Sequence, residues 1–216
     1  MKNKNIITIE TSLGRIFVTI VKDNQIFSKC IQSPKSIEQE INPLFEELII
    51  EAKLNLIELN LIFVSLGPGS FTGIRIGVSA AKALSMCSGA KVIGFTNFAG
   101  IYNQFLINKK KIKIRKAEVI IKGPGNEFFK KIYTENRPGK KIFLTTQKQL
   151  FSENINKDIF KIGNFENTFK IKNFFSCMPE EKGYMNLVSK LIKKKSINKY
   201  EEPSPIYAKE HYAKKI

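Results

Sequence analysis

The stretch 66–83, LGPGSFTGIRIGVSAAKA, constrains this chain more than any other. It follows the apolar run 61–66, which is short and closed at once by glycine and proline, as a buried strand would be. Gly67, Pro68 and Gly69 give a sharp turn with close backbone approach. Ser70 or Thr72 then supplies an oxygen for the free N–H groups of a helix start. The helix runs to about Ser88, and Gly89 stops it. Gly73 and Gly77 lie inside it, each costing about 1 kcal/mol relative to alanine. Close packing must offset that cost. Gly73, Gly77 and Ala81 form a small-residue ridge that fits either this chain's own sheet or a partner helix, while Phe71, Ile74 and Val78 supply bulk beside it.

Upstream, 6–10, 16–21 and 25–31 read as strands of a meander. Ser36 or Ser33 caps a helix to about Lys53, with Ile37, Ile41, Leu44, Phe45 and Leu48 at helical spacing. Pro43 either kinks that helix or marks its start at Asn42. Downstream come a strand at 91–95 and a short helix from Thr96 or Asn97 through Gln104. This order suits helices packed on a mixed sheet, an α/β first lobe over 1–107. The remainder, 108–216, reads as a smaller second lobe with strands at 117–121, 128–133 and 141–144, a helix at 184–194 and an extended ending.

Composition removes several function classes. The sole histidine, His211, cannot build a metal site of two histidines, and a serine triad would depend on it alone. Cys30, Cys87 and Cys177 are widely separated, which gives neither a zinc motif nor a disulfide framework. No apolar run reaches the ~18 residues of a membrane span, and the polar start is unlike a signal peptide, so a cytoplasmic protein is expected. The net charge of +17 is spread along the chain, with short clusters at 109–111 and 193–195, and is read mainly as compositional background. The glycine turn lacks the lysine of a Walker phosphate loop, because Ile74 follows Gly73.

The motif GPGSFTGIRIG, with Arg75 and Gly77 in their places, resembles the GPGSFTGxRxG hallmark of the TsaB (YeaZ) family. Three segments support the resemblance in order: ITIETS at 7–12, PLFEELIIEAKL at 43–54 and PSPIYAKE at 203–210. It implies the two-lobed actin/sugar-kinase/Hsp70-like α/β fold, with mixed sheets flanked by helices. It also implies a non-catalytic scaffold subunit of the complex that makes N6-threonylcarbamoyladenosine at position 37 of tRNA. In that family the chain pairs with a TsaD-type catalytic subunit through helices of the first lobe, and a TsaE-type ATPase joins. ATP and metal belong to those partners, tRNA is met through the complex, and the same helices offer a route to a homodimer. Residues 37, 41, 44, 45, 48, 71, 73, 74, 77 and 81 are the expected interface.

Two departures bear on chemistry. Glu10 stands where the family's phosphate-loop relic usually has aspartate, and Thr11-Ser12 follows instead of glycine-threonine. The segment 121–126 replaces the family's usual DAR-like stretch. The competing reading is a nucleotide-binding ATPase or phosphotransferase of the same fold class, acting through the Glu10, Thr11 and Ser12 turn.

Overall fold

The computed structural model describes residues 4–109, 114–123, 125–152, 159–168, 170–193 and 203–206. The chain divides into two units, one of Met1–Thr96 with Met185–Ile206, the other of Asn97–Tyr184 with Tyr207–Ile216. The helix that closes the expected first lobe therefore groups with the second unit.

In the first unit, strands β1 (Asn5–Glu10), β2 (Arg15–Lys22) and β3 (Gln25–Gln32) form an antiparallel meander. Helix α1 (Ile37–Glu51) follows, then a 3-10 turn at Leu56–Glu58, strand β4 (Leu59–Ser65), helix α2 (Phe71–Ser88) and strand β5 (Lys91–Phe95). The sheet order is β3-β2-β1-β4-β5, with β4 parallel to both β1 and β5. One face is an aliphatic core. Ile7, Ile9, Val18, Ile20, Ile62 and Val64 of the sheet meet Ile41, Leu44 and Leu48 of α1 and Ile74, Val78 and Ala81 of α2. Burying each large aliphatic side chain is worth about 1.5–3 kcal/mol, so this layer is the main source of the unit's stability. On the opposite face Thr8 and Thr19 sit across from each other, and their buried hydroxyls have no hydrogen-bond partner among the described residues.

The helix ends follow local chemistry. Ser36 Oγ accepts the Gln39 amide at 3.3 Å, and Glu40 Oε1 accepts the Ser36 amide at 3.2 Å. Helix α1 therefore starts at Ile37, not at Asn42, and Pro43 lies inside it. The missing proline N–H is tolerated because Ile41, Leu44 and Phe45 on either side are buried. Gly89 ends α2 in the left-handed region, at φ 71°.

The second unit runs helix α3 (Asn97–Asn108), strands β6 (Lys116–Lys122), β7 (Glu127–Thr134), β8 (Arg137–Pro138) and β9 (Phe143–Thr146), helix α4 (Gln147–Ser152), and strands β10 (Ile159–Gly163) and β11 (Phe174–Ser176); helix α5 (Glu181–Lys193) follows, and from Met185 on it groups with the first unit. Its sheet order is β11-β10-β6-β7-β8, with β9 also on β7. Strands β6 and β7 are antiparallel, whereas β10 is parallel to β6 and to β11. The central strand thus has an antiparallel neighbour on one side and parallel strands on the other, as β1 does. The two units repeat one plan that the sequence itself does not display. The strand expected at 141–144 is displaced to Phe143–Thr146, where Phe143 pairs with Lys130 and Leu144 with Phe129.

Candidate functional site

The hallmark turn and the end of β1 are built into each other. A Cβ on Gly69 would strike the Ser12 carbonyl, one on Gly73 the Thr11 carbonyl, and one on Gly77 the Thr11 hydroxyl. The contact is bonded as well as close. Thr11 Oγ1 donates to the Gly73 carbonyl at 2.6 Å, and the Ser70 amide donates to the Ser12 carbonyl at 2.8 Å. Ser70, not Thr72, caps α2, its Oγ accepting the Gly73 amide at 3.2 Å. The glycines therefore serve this chain's own packing.

Glu10 closes the same turn from below. Its side chain is fully buried. Oε1 accepts the Ser12 amide at 2.5 Å, the Ser12 hydroxyl at 3.0 Å and the Leu13 amide at 2.9 Å. Oε2 lies 3.4 Å from Nε of Arg15, which is itself buried and stacked over the Phe17 ring at 4.7 Å. Burial raises the Glu10 carboxyl above its ordinary value, and the Arg15 charge and the Ser12 hydrogen bonds oppose that. Backbone amides in such a turn are the groups that would hold a phosphate oxygen. Here a carboxylate of the chain already holds them. The Glu10, Thr11 and Ser12 turn does not fit a nucleotide phosphate.

The expected interface residues divide on burial. Ile41, Leu44, Phe45, Leu48, Gly73, Ile74, Gly77 and Ala81 are buried inside the first unit, so the expected ridge faces inward and is corrected on that ground. Only Ile37 and Phe71 are half-buried, and Phe71 carries the Arg75 guanidinium 3.9 Å above its ring. The outward face of α2 consists of Thr72, Arg75, Ser79, Ala83, Met86 and Cys87. Helix α2 packs on the 3-10 turn that carries Ile57. Exposure is 87% for Met86, 75% for Ile50 at the end of α1 and 73% for Ile57. Sequence reasoning missed this face because it followed the buried stripe. Laying the same helix out at 100° per residue puts Ser79, Ala83 and Met86 opposite Gly73, Gly77 and Ala81.

Among the described residues no group of three or more histidine, cysteine, aspartate or glutamate side chains could hold a metal ion. No described helix is long and apolar enough to cross a membrane. His211, Lys110, Lys111, Lys194 and Lys195, and residues 207–210 of the ending, lie outside the described residues.

Comparison with known proteins agrees with the geometry. The family model described as "TsaD: tRNA N6-adenosine threonylcarbamoyltransferase" matches residues 32–158. A protein of Buchnera aphidicola subsp. Acyrthosiphon pisum named "tRNA threonylcarbamoyladenosine biosynthesis protein TsaB" is 26% identical over 88% of this chain and 91% of its own length. A transferase of Gloeothece citriformis named "tRNA N6-adenosine threonylcarbamoyltransferase" is 33% identical over 47% of this chain, but the match spans only 34% of that enzyme. The structure of YeaZ from Pseudomonas aeruginosa superposes with a TM-score of 0.75 at 16% identity, covering 94% of this chain and 99% of that one. The fold is the α/β fold of the actin/sugar-kinase/Hsp70 class, two sheets each flanked by helices. Within that class, the chain belongs to the TsaB (YeaZ) family.

Proposed function

We propose that this chain is an accessory subunit of the machinery that makes threonylcarbamoyladenosine in tRNA, without chemistry of its own. The observation that carries the reading is the filled turn. Glu10 consumes the amides of Ser12 and Leu13, and Gly69, Gly73 and Gly77 lock that turn under α2. A relative with a turn open to phosphate would be expected to catalyse; in this chain the amides of Ser12 and Leu13 in that turn are already taken by Glu10. The names of its relatives place them in the threonylcarbamoyladenosine pathway, and this reading extends that role to the chain. Nucleotide and metal chemistry then fall to a TsaD-type subunit and a TsaE-type ATPase, in the cytoplasm where tRNA is modified.

Docking falls to the outward face of α2 and the adjoining ends of α1 and the 3-10 turn. Small residues at Ser79 and Ala83 let a partner helix approach, and Met86, Ile50 and Ile57 supply apolar area around them. The partner is a TsaD-type subunit, and a second copy of this chain is the competing occupant. The test is co-elution of the purified chain with the TsaD-type protein on size exclusion, for the native chain and for Ala83→Arg. The native chain should form the heteromeric complex. Ala83→Arg, exposed and outside the core, should fold normally and lose it. Unchanged association of Ala83→Arg would move docking elsewhere. A native chain that forms only a homodimer beside the TsaD-type protein would favour the competing occupant.

A further inference from the structure

The charge of this protein is not spread as a compositional bias would spread it. Residues 1–96 contain 10 basic and 8 acidic residues, whereas residues 97–216 contain 26 basic and 11 acidic. A general surplus of lysine would raise both parts alike. Within residues 1–96, three of the ten basic side chains are held in ion pairs. Arg15 pairs with Glu10, Lys22 with Glu58, and Lys29 with Glu47 and Glu51.

The second unit does the opposite along one edge of its sheet. Strands β8 and β9 both pair with β7, on the side away from β6, so the segment 137–146 forms that edge. From 136 to 152 the chain carries Arg137, Lys140, Lys141 and Lys148 and not one acidic residue. All four are exposed, and among the described residues none makes an ion pair. The Gly139 amide donates to the Ile132 carbonyl at 2.8 Å, which fixes the turn that presents Lys140 and Lys141. Beside these cations Phe143 is 41% exposed and Leu144 45% exposed. A fixed row of unpaired cations next to an exposed aromatic ring is the chemistry that takes a phosphate backbone and stacks an unpaired base.

We propose that the β8–β9 edge is an RNA-binding surface: Arg137, Lys140 and Lys141 contact backbone phosphates, and Phe143 offers a stacking face. RNA as the ligand class rests on the assignment to tRNA modification, but the charge argument does not, and the two fail separately. The alternative use of edge lysines is protection of the open strand against pairing with another chain.

The test uses the full-length chain and an unmodified tRNA transcript, with binding read by fluorescence anisotropy across a salt series. Two triple variants remove the same charge: Arg137→Gln/Lys140→Gln/Lys141→Gln on the edge, and Lys4→Gln/Lys35→Gln/Lys53→Gln on the first unit. Each phosphate contact adds about 0.7–0.9 to the slope of log affinity against log salt. The edge triple should lower that slope by about two and weaken binding about tenfold or more at moderate salt, whereas the first-unit triple should change affinity by less than about threefold. Phe143→Ala should weaken binding while leaving the slope unchanged. Lys140→Glu, a single change in an exposed turn, repeats the edge test if the triple variant fails to fold. Equal losses from both triples, or no binding by the native chain at low salt, would overturn the proposal. An edge triple that keeps its RNA affinity but aggregates would assign these lysines to edge protection and overturn it as well. Association of the edge triple with the TsaD-type protein should persist; its loss would mean that the edge serves docking instead of RNA.

Discussion

Gly73→Ala tests the close approach of α2 to β1. On helix propensity alone the change should stabilise the protein by about 1 kcal/mol. The structure reverses that sign. The added methyl would overlap the Thr11 carbonyl, a backbone atom that cannot rotate away. Relief requires α2 to lift from β1, which stretches the buried 2.6 Å bond from Thr11 Oγ1 to the Gly73 carbonyl. It also loosens Ile74, Val78 and Ala81 from the core. Overpacking costs about 1–3 kcal/mol and weakening a buried hydrogen bond about 1–3 kcal/mol more. After the propensity gain, a net loss of about 1–5 kcal/mol remains. For a chain of this length that lowers the melting temperature by roughly 2–20 °C. The assay is thermal and urea unfolding followed by circular dichroism, beside Gly89→Ala. Gly89 has nothing within 4 Å, so its alanine carries only the strain of a left-handed backbone, about 1–2 kcal/mol. A Gly73→Ala protein that melts at or above the native temperature would refute the argument, because propensity would then have outweighed the contact.

Two further predictions concern buried polar groups. Thr19→Val removes a buried hydroxyl that has no partner among the described residues, so urea unfolding should show it neutral or stabilising by up to about 1 kcal/mol; a loss above ~1 kcal/mol would mean that the hydroxyl is satisfied. Burial holds the Glu10 carboxyl above its ordinary 4.5, so the folded state keeps that proton more tightly than the unfolded state does. The resulting contribution is full below about 4.5 and fades as pH rises through the raised folded value. Relative to Glu10→Gln, which has no such proton, the native chain should lose stability between pH 4 and pH 8. A native chain that gains on Glu10→Gln over that range would show that Arg15 and the turn amides outweigh burial.

Legibility in the sequence was uneven for physical reasons. Strong local signals carried through: the Ser36 cap, the Gly89 stop, the meander and the strand before the glycine turn all rest on chemistry within a few residues. The small-residue ridge was also visible, yet not its direction, because Gly73 and Gly77 fit a partner helix and Thr11 equally well until the turn after β1 is placed. Glu10 looked like an altered phosphate-loop residue. That it consumes the amides of Ser12 and Leu13 follows from Arg15 and α2 enclosing it, contacts set by tertiary structure. In the second unit, β10 and β11 are short and phenylalanine-rich, and their identity comes from parallel pairing with distant residues. The structural repeat between the units left no trace in residue identity because the shared plan constrains burial and pairing, which many sequences satisfy.

The central claim is that this chain supports a tRNA-modifying enzyme and performs no transfer itself. The direct measurement is threonylcarbamoyladenosine formed on tRNA by a reconstituted mixture of TsaD-type and TsaE-type proteins, with the native chain, with Ala83→Arg or with neither. The account predicts product with the native chain, little or none with Ala83→Arg or without the chain, and none from the chain alone. Product formed equally well without the chain, or by the chain alone, would contradict it.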